Sequence, residues 1–300
     1  MIWSLKDLPP QTGKLVVITG ASGGLGMEVA RTLTDKGAQV IVAARDAAKG
    51  AAAVAALGPS ARFEALDLAD LTSVQSFAAI RSGIGQPIDL LINNAGLASP
   101  PKRLTTRDGF ELQFGTNFLG HFALTARLLP LLQQAAAPRV VTVSSLVANS
   151  AKLNFGDLMS EQRYSPISSY GQSKLANLIF ARELQRQADA HGWGLRSVAA
   201  HPGIARTELT KSRPGQAVLR LNVVFDLLFP LFGQDVANGA LPILYAATAE
   251  DASPGGYYGP TGSGERRGPV GVARSSPVSR DPQIADRLWK VAEELTGTNF

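Results

Sequence analysis

KLVVITGASGGLG, Lys14–Gly26, is the stretch around which the chain is organised. Leu15–Ile18 is a short apolar run, rich in β-branched residues and of the length of a buried strand. Thr19 and Gly20 end it, Gly23, Gly24 and Gly26 follow, and Met27, Val29, Ala30 and Leu33 then recur at helical spacing. The glycines therefore mark a strand-to-helix turn. Without Cβ atoms they allow a tight turn and let a pyrophosphate approach backbone N–H groups at the positive end of the helix. A second strand at Gln39–Ala44 completes a βαβ unit, the context that separates a nucleotide loop from an ordinary glycine-rich one. Gly20, Ser22, Gly24, Leu25 and Gly26 are the expected contacts of this loop.

Outward from this unit, strand-like runs lie at Arg62–Leu66, Leu90–Asn93, Arg139–Ser144 and Leu195–Ala200. Helical patterns lie between and beyond them, at Leu25–Lys36, Ala47–Leu57, Leu71–Ile80, Gly109–Gln134 and Tyr170–Ala188. Two more are expected, at Asp235–Thr248 and after Asp281 (N-cap) and Pro282 (N1), with Gly255–Gly268 as a mobile loop between them. The alternation predicts an α/β fold, a doubly wound and mostly parallel sheet with helices on both faces. Ligands of such sheets bind at the carboxyl ends of the strands.

Composition excludes several classes. Apolar residues make up 45% of the 300 and charged ones 18%, an ordinary globular balance. With no cysteine there is no disulfide framework, thiolate metal site or cysteine nucleophile, which fits a reducing, cytoplasmic setting. MIWSLKDLPP lacks the basic and apolar regions of a secretory signal, and no run of about 20 apolar residues offers a membrane span. The net charge of +5 is scattered apart from Arg266–Arg267 and a loosely basic tail to Arg280, so no nucleic-acid partner is expected.

Residues with chemical potential sit just after strands. Arg45 follows the second strand, where an arginine suits a ribose 2′-phosphate and a carboxylate would suit the free hydroxyl; Asp46 beside it blurs the signal. Asp67, with Leu68, closes the third strand within reach of an adenine. Asn93, Asn94, Ala95 and Gly96 close the fourth, to tie neighbouring strands, line the cofactor site, or both. Ser144 and Ser145 end the fifth strand, where a hydroxyl can polarise a carbonyl. Tyr170 and Lys174 share one helix face, and an ammonium beside a phenol is expected to lower the phenol's pKa. Asn117 is a polar residue in an apolar helix and needs a partner. His121 and His201 stand at metal spacing from no other ligand and are read as structural; no metal is expected.

Together, Thr19-Gly20-x-x-x-Gly24-x-Gly26, Asn93-Asn94-Ala95-Gly96, Asn117, Ser145, Tyr170-x-x-x-Lys174 and Pro202-Gly203 resemble the classical short-chain dehydrogenases/reductases over residues 12 to about 260. FGTNFLGHFALT, YGQSKLANLIF and HPG look like the retinol-dehydrogenase-like branch. The resemblance implies a single Rossmann-like domain over 1–300: a core at 12–205, a substrate loop at 206–235 and a C-terminal part at 236–300. It implies hydride transfer between NADP(H) and an alcohol/carbonyl pair. Tyr170 would be the acid/base, Lys174 would hold the nicotinamide ribose, Ser145 would bind the substrate oxygen and Asn117 would support a proton relay. Pro202 and Gly203 would flank the cofactor and Thr207 would contact its carboxamide. Ser145 and Tyr170 are 25 residues apart, longer than the family's usual dozen. The extra segment, around Lys152–Ser168, holds Tyr164 as a rival acid, but Ser168 stands where its lysine would be.

Ala217–Phe232, AVLRLNVVFDLLFPLF, is apolar on nearly every side and is read as a lid over an apolar substrate, a subunit contact or an interfacial segment. The helices at Gly109–Gln134 and Tyr170–Ala188 allow a homodimer or homotetramer. A catalytically silent NADP(H)-binding sensor stays as the alternative, although no member of the catalytic set is missing. A sugar-nucleotide epimerase or dehydratase would need a longer substrate domain.

Overall fold

The structure is a computed structural model and describes residues 2–205 and 234–300. Thr207, the apolar run Ala217–Phe232 and most of the expected substrate loop lie outside the described residues. The first half of the chain runs β1 (Leu15–Thr19), α1 (Gly24–Asp35), β2 (Gln39–Ala44), α2 (Ala47–Leu57), β3 (Ala61–Ala65), α3 (Leu71–Ile84) and β4 (Leu90–Asn93). A single turn α4 (Leu112–Phe114) leads through a π-helical segment, Gly115–Leu119, into α5 (Gly120–Leu132) and β5 (Arg139–Val143). Then come α6 (Pro166–His191), β6 (Arg196–Ala200), α7 (Val236–Thr248), β7 (Tyr257–Pro260), β8 (Val270–Val272) and α8 (Pro282–Thr296).

The eight strands lie in the order β3-β2-β1-β4-β5-β6-β7-β8, all parallel except β8, which runs against β7. Successive strand residues alternate between two cores, because side chains of an extended chain point to opposite faces. Leu15, Val17, Ile41 and Leu91 enter the core under α3, α5, α6 and α8. Val16, Ile18, Val42 and Ile92 enter the core under α1 and α7. Both faces are covered, which is why these strands read as unbroken apolar runs. Val16, Val17 and Ile18 are each fully buried, at roughly 1.5–3 kcal/mol per side chain. The chain leaves β1 toward β2 and β3, then crosses back to place β4 on the other side of β1. That reversal opens a crevice at the carboxyl ends of β1 and β4.

The expected mobile loop Gly255–Gly268 instead contains β7 and a short 3₁₀ turn, Ser263–Glu265. YYGP, with its glycine and proline, carries little strand signal. Its place is fixed by two register pairs with β6, Ala199–Tyr257 and Ala200–Tyr258, and by the burial of both tyrosines. The long helix expected at Gly109–Gln134 is interrupted by the π-helical segment around Asn117. Helix α8 begins at the Asp281 cap, whose carboxylate accepts from Gln283 and Ile284 N–H. Its Trp289 packs on Phe122 and Phe180, with ring centroids 5.1 and 6.0 Å apart. Part of the α5–α6 face, the surface expected to pair with a second copy, is thus covered within the chain. No helix among the described residues is long and apolar enough to cross a membrane.

Candidate active site

A cleft of about 690 Å³ opens at the reversal point. Its walls include Gly20, Ser22, Gly24, Leu25 and Gly26 after β1, Arg45 after β2, and Asp67 and Leu68 after β3. Asn94, Ala95 and Gly96 after β4, Tyr170 and Lys174 of α6, and Pro202 after β6 complete it. The glycine requirement is steric at two positions. A Cβ on Gly20 would stand 2.9 Å from Ala95 Cα, and one on Gly26 would stand 2.6 Å from the Gly20 carbonyl oxygen. Helix α1 follows with Gly23 as a cap that offers no side-chain hydrogen bond, and with no acidic residue in its first turn. Its leading N–H groups therefore meet no side-chain acceptor among the described residues, the arrangement that receives a phosphate.

Arg45 is exposed on the cleft wall. Asp46, the residue that blurred the cofactor signal, is committed elsewhere: its carboxylate caps α2 by accepting from Lys49 N–H at 3.0 Å. Lys49 also lines the cleft and was missed in the sequence; one turn into α2, it carried no motif. Asp67 accepts from Ala69 N–H at 3.0 Å. Asn94 does both things expected of it, donating from Nδ2 to the Thr19 carbonyl at 2.8 Å while lining the cleft.

The polar set at the far end is assembled by the end of β5, the π-helical segment Gly115–Leu119 and α6. Helix α6 starts at Pro166 behind the Ser165 cap, which puts Tyr170 in its second turn rather than its first. Tyr170 is half-buried, and the Ser145 side chain lies close enough to its phenol to draw the phenol's pKa down. Ser144 lines the cleft and donates to the Lys174 carbonyl at 2.7 Å, whereas Ser145, the serine that acts on the Tyr170 phenol, is not among the residues of the cleft wall. Lys174 is buried, donates to the Val143 carbonyl at 3.1 Å, and stands 5.9 Å from the centre of the Tyr170 ring. Asn117 is fully buried and clamps Leu97 from both sides: Oδ1 accepts its N–H at 2.9 Å and Nδ2 donates to its carbonyl at 3.0 Å. A Cβ on Gly96 would lie 3.2 Å from Asn117 Oδ1 and 3.3 Å from Lys174 Nζ, so these two groups flank one backbone position.

Electrostatics correct one expectation. Burial holds the Tyr170 phenol above its ordinary pKa, and the Ser145 hydroxyl offsets only part of that. The same burial pushes Lys174 down to about 8. Desolvation outweighs the attraction expected between the two groups. The rival Tyr164 is occupied, donating to the Pro100 carbonyl at 2.8 Å, with its phenol pushed up to about 12 chiefly by burial. His201 is fully buried; Gly203 N–H donates to its Nδ1 at 3.2 Å and its Nε2 stands 3.3 Å from Glu265. Gly203 is thus placed next to Pro202 but outside the cleft wall. Tyr257 of β7 donates to the Ser145 carbonyl at 3.2 Å. That contact was not legible in the sequence, since β7 itself carried no strand signal. Two hydroxyls and an ammonium thus meet beside a phosphate-type loop, a set able to hydrogen-bond a carbonyl oxygen and give it a proton.

Comparison with known proteins gives the family. A family model described as short chain dehydrogenase matches residues 14–217. Retinol dehydrogenase 12 of Mus musculus is 39% identical over 295 residues, covering 96% of this chain and 88% of the relative. Polyprenol dehydrogenase of Mus musculus is 40% identical over 301 residues, covering 97% and 86%. The crystal structure of an uncharacterized protein from Mycobacterium paratuberculosis is 41% identical, with a TM-score of 0.83 over 100% of this chain and 99% of that one. The chain belongs to the short-chain dehydrogenase family of nicotinamide-dependent oxidoreductases, in its retinol-dehydrogenase-like branch.

Proposed function

We propose that the protein interconverts an alcohol and a ketone or aldehyde on a fairly apolar small molecule, with NADP(H) as the hydride carrier and Tyr170 as the acid/base. The observation that carries this reading is Tyr170 and buried Lys174 together on the wall of the cleft that also holds the glycine loop, with Ser145 acting on the Tyr170 phenol. The residues fit a dinucleotide: the side-chain-free start of α1 suits a pyrophosphate, and positions 20 and 26 have no room for a Cβ. NADP(H), when bound, gives up or accepts the hydride at the substrate carbon. In the reductive direction Ser145 hydrogen-bonds the carbonyl oxygen and Tyr170 donates its proton to that oxygen, so a neutral phenol held by burial is the form required. Lys174 would hold the nicotinamide ribose and return a proton to Tyr170, with Asn117 keeping the lysine's surroundings polar. Pro202, Gly203 and Thr207 would flank the nicotinamide.

Arg45 and Lys49 on the cleft wall, with Asp46 committed to its cap, support a 2′-phosphate and hence NADP(H). The names of the relatives, retinol and polyprenol dehydrogenases, support an apolar alcohol, and so does Ala217–Phe232 read as a lid. The cysteine-free composition supports a cytoplasmic setting. The test is loss of reduced-nicotinamide absorbance with NADPH and NADH separately, against aldehydes and ketones graded from small and polar to long and apolar. Turnover with NADPH that rises with apolarity is the expected result. NADPH binding with no turnover across the panel would sink the catalytic reading, and a preference for NADH would sink the cofactor assignment.

A further inference from the structure

His121 is fully buried one residue into α5, and both its ring nitrogens are used. Nδ1 lies 2.9 Å from the carbonyl of Asn117, four residues earlier in the π-helical segment. A carbonyl only accepts, so Nδ1 carries the proton and Nε2 is the acceptor. The donor to Nε2 is the Thr19 hydroxyl, at 2.8 Å; the Ile92 carbonyl stands farther from that hydroxyl, at 3.3 Å. Thr19 Oγ1 in turn accepts the N–H groups of Asn94 and Ala95, each at 2.9 Å. A second thread runs parallel: Asn93 Nδ2 donates to Thr125 Oγ1 at 3.0 Å, and Thr125 donates to the His121 carbonyl at 2.7 Å. Burial above all, with Lys174 adding to it, pushes His121 down to about 4, so the ring stays neutral through the neutral range.

The network is directional and continuous. One end is the backbone of Asn94 and Ala95, which line the cleft. The other is the turn that carries Asn117 against Leu97 and Gly96. We propose that His121 is a positioning residue that locks the Asn117 turn to the dinucleotide-binding strand ends through Thr19, so that cofactor loop and acid/base set share one geometry. The inference rests on the function proposed above for its kinetic half and stands without it for its binding half. Any buried histidine needs partners for its ring nitrogens; what marks this one is that its two hydrogen bonds reach two different elements of the site.

The test is a double-mutant cycle of Thr19→Val and His121→Phe, read on the NADPH dissociation constant by quenching of protein fluorescence, well below the melting midpoint of each variant. Each substitution is expected to raise the constant about fivefold, and the pair together little more than one alone, because both cut the same chain. In turnover, His121→Phe is expected to lower kcat about tenfold with KM for the carbonyl changed less than threefold. His121→Asn, which keeps a donor for the Asn117 carbonyl, is expected to restore at least half of that kcat, and it serves in the cycle if the phenylalanine variant does not fold. Additive effects on NADPH binding would overturn the proposal, as would an asparagine variant no faster than the phenylalanine one. If the wild-type protein turns over no carbonyl, the function proposed above fails, while the binding cycle still decides the role of His121.

Discussion

The two ends of the cleft are built from different materials. The glycine end uses backbone: α1 opens at Gly23 with no side-chain cap, whereas α2, α3, α7 and α8 each open on an aspartate that accepts N–H groups of the first turn. The other end uses side chains: α6 satisfies its own start with Ser165 and Pro166 and then presents Tyr170 and Lys174. A site made of backbone is damaged by adding atoms, and a site made of side chains by removing them. The first kind of damage should appear in binding and stability, the second in turnover.

That division can be broken in four places. Tyr170→Phe is expected to cost the most, about 10²–10⁴-fold in kcat, with NADPH affinity and melting midpoint nearly unchanged. A loss shared equally between kcat and cofactor affinity would mean that the two ends are not separable. Next is Ser145→Ala, expected to lose about 10²–10³-fold in kcat. Its neighbour supplies the contrast: Ser144→Ala gives up the bond to the Lys174 carbonyl and should lose about 1 kcal/mol of stability for less than a tenfold fall in kcat. If Ser144→Ala were the slower enzyme, the two serines would have to exchange roles. Gly26→Ala places a methyl against the Gly20 carbonyl and the Asn94 amide; NADPH should bind at least about tenfold more weakly and unfolding come earlier, with kcat at saturating cofactor largely kept. Kinetics of the variant with NADPH varied separate those outcomes. Arg45→Ala is the smallest, an approximately fivefold fall in NADPH over NADH preference with the NADH rate untouched. An unchanged ratio would shift the phosphate contact to Lys49 or remove it.

Legibility in the sequence follows the same line. The backbone-built end was readable at once, since KLVVITGASGGLG encodes strand, turn and helix within one short window and each glycine has a local steric cause. Tyr170, Lys174, Ser145 and Asn117 stand out in the sequence by residue type and place, but their roles and the choice of Ser145 over Ser144 come from family resemblance, because what unites them is tertiary: they come from three elements across more than fifty residues. Three features escaped. Strand β7 is held in the sheet by buried tyrosines, against the propensities of Gly259 and Pro260. The π-helical register at Gly115–Leu119 leaves an unbroken apolar helix pattern in the sequence and shows only in the hydrogen bonding. The direction of the Tyr170 shift depends on how dry the phenol is, a quantity that spacing along a helix does not contain. Lys49 and His121 were visible as residues; their partners were not.

The bare start of α1 has a thermodynamic corollary. N–H groups that no side chain meets are stability held in reserve for a ligand. A dinucleotide at 100 times its dissociation constant adds about 2.7 kcal/mol to the folded state by mass action alone, a rise in melting midpoint on the order of 5 °C for a chain of this size. Ranking NADP(H) against NAD(H) by that rise at equal concentration needs no substrate: the first turn of α1 would meet the pyrophosphate that both share, so any difference in the rise would report the 2′-phosphate contact alone.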